Sequence, residues 1–375
     1  MTLYFLKPKE IQKSLMLIDI QKDFYRKKVR NFFSRKYKKD AYLLGSGSEA
    51  LYSVLVSIRS KMKTKKVLIP DKICPVVTKA VIMAGLKPVF VNTDEKYRMV
   101  GNVRKISTKA GALIVTHNYG YPDDVENMKR FCEKNSIILI EDCAQSFGAE
   151  NQNKPVGVFG DYSIFSFRIL KHVCGFVGGV VLTNENFYIR TKEFNSQEIT
   201  NQLIFLKNLI SSYRKRIYKT RINSFPQKVS NKISLYASVY FRSVPMIRTI
   251  SESNAYLIHY QLQMWKKIIR ARNNIAKNII EAAGEKSIFG IEDLHDAKSS
   301  ILSVPIKCRP STKRHLTQNN INFYDELNPL NQFTIHPAKI FRSYYTNLKI
   351  LTFFTDPIFY QKNEIDSISE ILNKV

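Results

Sequence analysis

Three stretches of this chain carry residue types able to do covalent chemistry. In IILIEDCAQSFGA, Asp142 closes an apolar run and Gln145 follows three residues later. In YSIFSFRILKH, Ser166 ends another apolar run and Lys171 lies five residues further on. In LLGSGSEALYSV, the turn Ser46–Gly47–Ser48 opens directly onto a helical pattern. Backbone N–H groups of Ser48 and Glu49 are therefore placed to cradle a phosphate at a helix N-terminus. A lysine amine forms Schiff bases with carbonyl compounds and moves protons. Each feature also has an ordinary reading: the serines suit a helix cap, and one acid or one lysine says little in a basic chain. Together they make an anion cradle, a buried carboxylate and an amine.

For these groups to meet, their strands must share a sheet edge, because ligands gather at the carboxyl ends of strands in open α/β sheets. The first two-thirds of the chain alternates short apolar runs with helical stretches, which reads as an α/β layer fold. Strand candidates are 67–70, 88–93, 112–117, 137–142, 162–167 and 178–183, mostly near-continuous apolar runs suited to burial on both faces. Helical stretches between them are SEALYSVLVSIRSK, PVVTKAVIMAG and DVENMKRFCEKN, the last beginning with an Asp pair suited to capping. Beyond Thr183 the pattern changes. Residues 187–250 are rich in Tyr, Arg and Lys, and NAYLIHYQLQMWKKIIRARNNIAKNIIEAAGE reads as one long amphipathic helix. Strands near SILSVPIK and KILTFF and a closing helix EIDSISEILNKV suggest a small α+β lobe. The expected division is a large domain over 1–250, with a basic insertion at about 187–250, and a connecting helix plus small domain over 251–375.

With 375 residues and 44% hydrophobic content, the chain has material for a sizeable core, and no apolar run is long enough to span a bilayer. The opening residues are interrupted by Lys, Glu and Gln before a signal-peptide core can form. Five scattered cysteines fit a reducing, cytoplasmic setting. The net charge of +28 favours phosphate-rich partners or an anionic surface. A compositional preference for Lys, Ile, Asn and Tyr explains much of that excess, but less of the run from Lys207 to Arg248, which has no acidic residue. A solvated helical face is one reading of this run; peripheral contact with an anionic membrane through 207–248 is the other. No nucleic-acid partner and no metal site are expected.

The amine, carboxylate and phosphate cradle are what pyridoxal 5'-phosphate (PLP) requires. SGSEAL (46–51), VLIPDKICPVVTKAVIMAGLKPVFVNTD (67–94), THNYGYPDDVENMKRFCEKNSIILIEDCAQSFGA (116–149) and GVFGDYSIFSFRILKHVCGFVGGVVLTN (157–184) follow one another as in the DegT/StrS-type sugar aminotransferases, and the chain resembles that family. The resemblance covers most of 40–185 and is loose thereafter. It implies a fold-type I PLP-transferase: a three-layer α/β large domain with a smaller C-terminal α+β domain, paired as a homodimer. It implies that Lys171 is the Schiff-base lysine and that Asp142 pairs with the pyridinium nitrogen. Gln145 would contact the ring, Gly47, Ser48, Glu49 and Ser166 would form the phosphate site, and His117 and Tyr119 would line the substrate pocket. The implied reaction moves an amino group from glutamate to a nucleotide-linked keto sugar.

Two positions depart from the family pattern. Cys74 stands where an aromatic residue often covers the cofactor ring, and Ile247 stands where an Asn is usual, with Arg248 displaced beside it. These departures keep open a member that has lost catalysis and acts as a regulatory or binding protein. A PLP-dependent sugar dehydratase is a further alternative, although His would then be expected in place of Lys171.

Overall fold

The computed structural model describes residues 6–18, 23–99, 109–218, 247–296, 299–308, 324–325 and 349–354. Each apolar run expected as a strand in the first two-thirds of the chain is one. In chain order the strands are β1 (Asp40–Leu44), β2 (Lys66–Pro70), β3 (Lys87–Val91), β4 (Ala112–Thr116), β5 (Ile138–Asp142), a small hairpin of β6 (Glu150–Asn151) and β7 (Lys154–Pro155), β8 (Tyr162–Ser166) and β9 (Gly179–Thr183). β1 is an addition to the runs read from the sequence. Seven of these form one sheet in the order β1-β9-β8-β5-β4-β2-β3. The pairs from β8 through β3 are parallel, whereas β9 is antiparallel to both β8 and β1.

The strands are buried on both faces because helices cover both, which is why they read as continuous apolar runs. On one face, Ile114, Ile140, Ile164 and Val181 pack against Leu51, Val54 and Ile58 of α3 (Gly47–Ile58) and Val77 and Val81 of α4 (Pro75–Met83). Alternate residues point the other way, as strand geometry requires. There Phe165, Val180 and Leu182 meet Val29 and Phe33 of α2 (Phe24–Tyr37), and Leu113 and Leu139 meet Met128 of α5 (Val125–Asn135). Asp124 caps α5 by accepting the Asn127 N–H; its neighbour Asp123 is buried and serves elsewhere. An N-terminal helix α1 (Pro8–Leu15) packs beside α6 (Ser196–Tyr218).

The single helix expected near residues 254–285 is two. α7 (Glu252–Leu262) and α8 (Trp265–Ala283) are separated at Met264, whose φ of −126° and ψ of 19° lie outside the helical region. The break follows Gln261, whose buried amide donates to the Cys174 and Leu257 carbonyls and accepts the Cys174 N–H. α7 is buried almost all round, and its Ala255, Ile258 and Leu262 belong to the core of the main sheet. α8 turns Ala276, Ile279 and Ile280 onto Ile301, Val304 and Ile306. β10 (Ser303–Cys308), β11 (Tyr324–Asp325) and β12 (Lys349–Phe354) form a separate antiparallel sheet, after a short α9 (Glu292–Asp296). The strands expected near SILSVPIK and KILTFF are thus present; the closing helix expected over 364–375, and residues 219–246 of the basic stretch, lie outside the described residues. Among the described residues no helix is long and apolar enough to cross a membrane.

Candidate active site

Strand register brings the chemistry-bearing ends together. Leu44 pairs with Gly179 and Gly179 with Ser166, while Thr116 pairs with Asp142 and Asp142 with Ile164. The segments leading to Gly47, His117, Gln145 and Lys171 therefore leave the sheet at one edge. α3 starts there, capped by the Ser46 hydroxyl, which accepts the Glu49 N–H at 3.1 Å. That bond uses one donor foreseen for the anion cradle; the N–H groups of Gly47 and Ser48 belong to the first turn, which has no intrahelical acceptors. A Cβ at Gly47 would lie 2.7 Å from the Ser166 Cβ, and one at Gly179 would lie 2.7 Å from the Gly47 nitrogen. Glycine at both positions lets the helix start sit directly on the ends of β8 and β9, with Ser166 beside it.

Glu49 contributes through its side chain. Its buried carboxylate accepts two guanidinium N–H bonds from Arg248, at 2.8 and 3.2 Å, and the Arg248 backbone N–H at 3.3 Å. Arg248 also lies 3.7 Å from Glu198 and packs over the Phe194 ring. The Arg248 guanidinium is thus committed within its own chain, at the base of the cradle. Ile247 is half-buried against the core on the α3 face.

Lys171 sits in the turn after β8. Its predecessor Leu170 has φ of +76°, a left-handed conformation that costs a non-glycine residue about 1–3 kcal/mol and persists only when the surroundings hold it. Burial holds the Lys171 amine below the usual lysine range; Cys74 and Asp142 pull it back up and Arg168 pushes it further down. Burial likewise raises the Asp142 carboxyl, against the Ala144 N–H at 2.9 Å and the nearby Lys171 and His117. Both shifts favour the uncharged forms, so desolvation outweighs the attraction of the pair. A lysine with a lowered pKa is more often the free, nucleophilic amine. Cys74 is exposed at the N-terminal end of α4, close enough to Lys171 to act on it electrostatically.

The remaining expected residues form the side of the site. Gln145 Oε1 accepts the Tyr119 N–H at 3.0 Å, which ties the turns after β4 and β5 together. Tyr119 is left-handed at φ +59° and packs its ring between Tyr97 and Phe289. His117 is fully buried: its Nδ1 accepts the Asp123 N–H at 3.0 Å, which leaves Nε2 to donate to Glu141 Oε1 at 3.0 Å. With both nitrogens engaged in the core, His117 presents no free ring nitrogen at the sheet edge.

Glu141 was not among the residues singled out from the sequence, yet it organises this region. Its carboxylate accepts the N–H groups of Gly157, Phe159 and Gly160 at 2.5, 3.1 and 3.0 Å, besides His117. Burial alone would raise its pKa; the His117 and backbone donors outweigh this and lower it. His117, Glu141 and Cys143 have ligand atoms within 4.8 Å of one another, but the hydrogen bonds consume both Glu141 oxygens and both His117 nitrogens. The cluster is a hydrogen-bonded hub. Its one sequence signal is the acid preceding Asp142, which strand alternation turns to the opposite face.

Comparison with known proteins agrees with this fold. GDP-perosamine synthase of Escherichia coli O157:H7 is 31% identical over 179 residues, 47% of this chain and 49% of that protein. A UDP-N-acetyl-3-dehydro-alpha-D-glucosamine 3-aminotransferase of Acidithiobacillus ferrooxidans is 32% identical over 142 residues, 37% of this chain and 38% of that protein. The chain thus spans about half or less of the length of these curated relatives. The fold matches Helicobacter pylori PseC, an aminotransferase involved in the biosynthesis of pseudoaminic acid, with a TM-score of 0.71 at 16% identity, over 97% of this chain and 95% of that one. It also matches Spr1654 from Streptococcus pneumoniae in its PMP form, with a TM-score of 0.73 at 15% identity, over 98% of this chain and 96% of that one. The model of the DegT/DnrJ/EryC1/StrS aminotransferase family matches residues 25–346. With that match running over most of its length, the chain belongs to the DegT/DnrJ/EryC1/StrS aminotransferase family.

Proposed function

We propose that this chain is a PLP-dependent aminotransferase that passes an amino group from glutamate to a nucleotide-linked keto sugar, in the making of a surface polysaccharide or other glycan. The observation that carries the reading is the meeting, at one sheet edge, of Lys171 and the buried Asp142 with the Gly47–Ser166 cradle. The residues fit the cofactor on their own chemistry. A phosphate needs bare backbone N–H groups, and glycine at 47 keeps that approach open; a pyridine nitrogen needs a carboxylate behind it, and Asp142 is one. Bound PLP would supply an electron sink for the charge left when a proton leaves the amino-bearing carbon. Lys171 would hold the aldehyde end and carry that proton, helped by an amine already biased to its uncharged form. Asp142 would keep the ring nitrogen protonated. Gly47, Ser48 and Ser166 would bind the phosphate, and Gln145 and Tyr119 would border the ring and the sugar.

The presence of Lys171 favours this reading over a dehydratase. The nucleotide-sugar names of the relatives support the substrate class; the glutamate donor, the homodimer, the cytoplasmic setting and the division near residue 250 belong to the same proposal. Membrane contact through 207–248 is part of it too, and flotation with anionic vesicles tests it: no salt-sensitive binding would remove it. The main test is an absorbance spectrum with PLP, before and after adding glutamate. A bound-cofactor band that shifts on glutamate addition is expected. A colourless protein that stays so with excess PLP would favour the non-catalytic alternative.

A further inference from the structure

His172 follows the proposed cofactor lysine directly, is buried, and has no part in the chemistry above. Its Nε2 donates to the Ser300 carbonyl at 2.8 Å. Ser300 belongs to the segment Ser299–Leu302, which enters from the second lobe and bonds to the turns after β4, β5 and β8. The Ser300 N–H donates to the Gly120 carbonyl at 3.1 Å and the Leu302 N–H to the Tyr119 carbonyl at 2.8 Å. The Ser300 hydroxyl donates to the Phe147 carbonyl at 2.6 Å, two residues past Gln145. From α8, Asn273 donates to the Ser299 carbonyl at 2.7 Å and accepts the Ile301 N–H at 3.0 Å. Arg272, buried beside it, adds long contacts of 3.4 and 3.5 Å to the Leu302 and Lys171 carbonyls.

Two of the three turns held this way carry a left-handed residue: Leu170 is at φ +76° and Tyr119 at +59°. Neither conformation is favoured by its own residue, so each needs an external anchor. The approach is close enough that a Cβ at Gly120 would fall 1.9 Å from the Ser300 carbonyl oxygen. We infer that His172 is a positioning residue for Lys171, acting through its hydrogen bond to Ser300 and so coupling the lysine to the second lobe. The consequence is that the placement of the turn carrying Lys171 depends on the seating of Ser299–Leu302. Ligands that move the second lobe would therefore act on the lysine through this segment.

The inference rests on the reading of Lys171 as the cofactor lysine, and its test separates the two. A Gln amide nitrogen mimics imidazole Nε2, whereas an Asn amide nitrogen mimics Nδ1. Wild type, His172→Gln, His172→Asn and His172→Leu are compared in two ways. The first, on the apo-protein, is the pH dependence of Lys171 labelling by an amine-reactive reagent, read by mass spectrometry. The second is PLP affinity and the pH midpoint of the visible band. His172→Gln is expected to behave as wild type in both. His172→Asn and His172→Leu are expected to shift the labelling profile and weaken PLP binding by about tenfold to a hundredfold. If His172→Leu does not fold, the contrast between Gln and Asn decides. Equal behaviour of Gln and Asn, or melting temperatures that fall while the labelling profile stays that of wild type, would overturn the inference. Wild type that labels normally but binds no PLP would overturn the functional reading alone.

Discussion

Replacing His172 by Gln should change how the apo-protein responds to acid while leaving its hydrogen bond in place. Burial, with the adjacent Lys171 charge acting the same way, depresses the His172 pKa from 6.5 to about 3, against the pull of the Ser300 carbonyl. The unfolded chain takes up a proton near 6.5 and the folded chain does not. His172 therefore contributes stability that is full above 6.5 and is lost as pH falls toward 3. Each pH unit below 6.5 is worth about 1.4 kcal/mol, so at pH 5 the wild type should have lost about 2 kcal/mol through this group alone. His172→Gln cannot titrate and should not lose that share. Urea unfolding of both proteins at pH 7.5, 6 and 5 measures it. Comparing the two also cancels Asp123, whose buried carboxyl is pushed up to about 6 and whose contribution, full below 3.8, is lost as pH rises through 6. Stabilities that fall in parallel between pH 7.5 and 5 would show that His172 is not held neutral, and the argument from its burial would fail.

Three further outcomes follow from particular contacts. Glu141→Ala leaves the buried N–H groups of Gly157, Phe159 and Gly160 without their acceptor and should cost about 3–5 kcal/mol in urea unfolding; a loss below about 1 kcal/mol would deny it the role of hub. Gly47→Ala drives a Cβ against Ser166, which should cost about 1–3 kcal/mol of stability and weaken PLP binding by about tenfold; unchanged affinity in a spectroscopic titration would place the phosphate elsewhere. Arg248→Met strands the buried Glu49 carboxylate and should cost about 3–5 kcal/mol, most of it recovered when Glu49→Met is added; no recovery would mean the two residues act separately.

Much of the sheet was legible because parallel strands covered on both faces leave continuous apolar runs, as at Ala112–Thr116 and Gly179–Thr183. β1 was not, because as an edge strand it leaves Asp40 exposed and Tyr42 half-buried, so DAYLL makes no continuous apolar run. The break at Met264 was also hidden: no Pro or Gly marks it, and Gln261 owes its importance to Cys174, far away in sequence. The meeting of Asp142, Gly47 and Lys171 at one sheet edge could be read because Asp142 ends a strand, Gly47 begins a helix and Lys171 lies in the turn that follows a strand. Glu141 and His172 could not. Their partners are backbone groups of distant turns, and backbone groups leave no residue type in the sequence to recognise. Glu49 was expected to lend its N–H to the cradle, but that N–H bonds the Ser46 hydroxyl; its carboxylate pairs with Arg248, which the sequence hides because 199 residues separate the two.

The central claim is that Lys171 carries the cofactor, and covalent trapping tests it most directly. The protein is loaded with PLP, reduced with borohydride, digested and examined by peptide mass spectrometry. The account predicts cofactor mass on the peptide containing Lys171, and none there in Lys171→Ala. Cofactor trapped on another lysine, or none at saturating PLP, would contradict it.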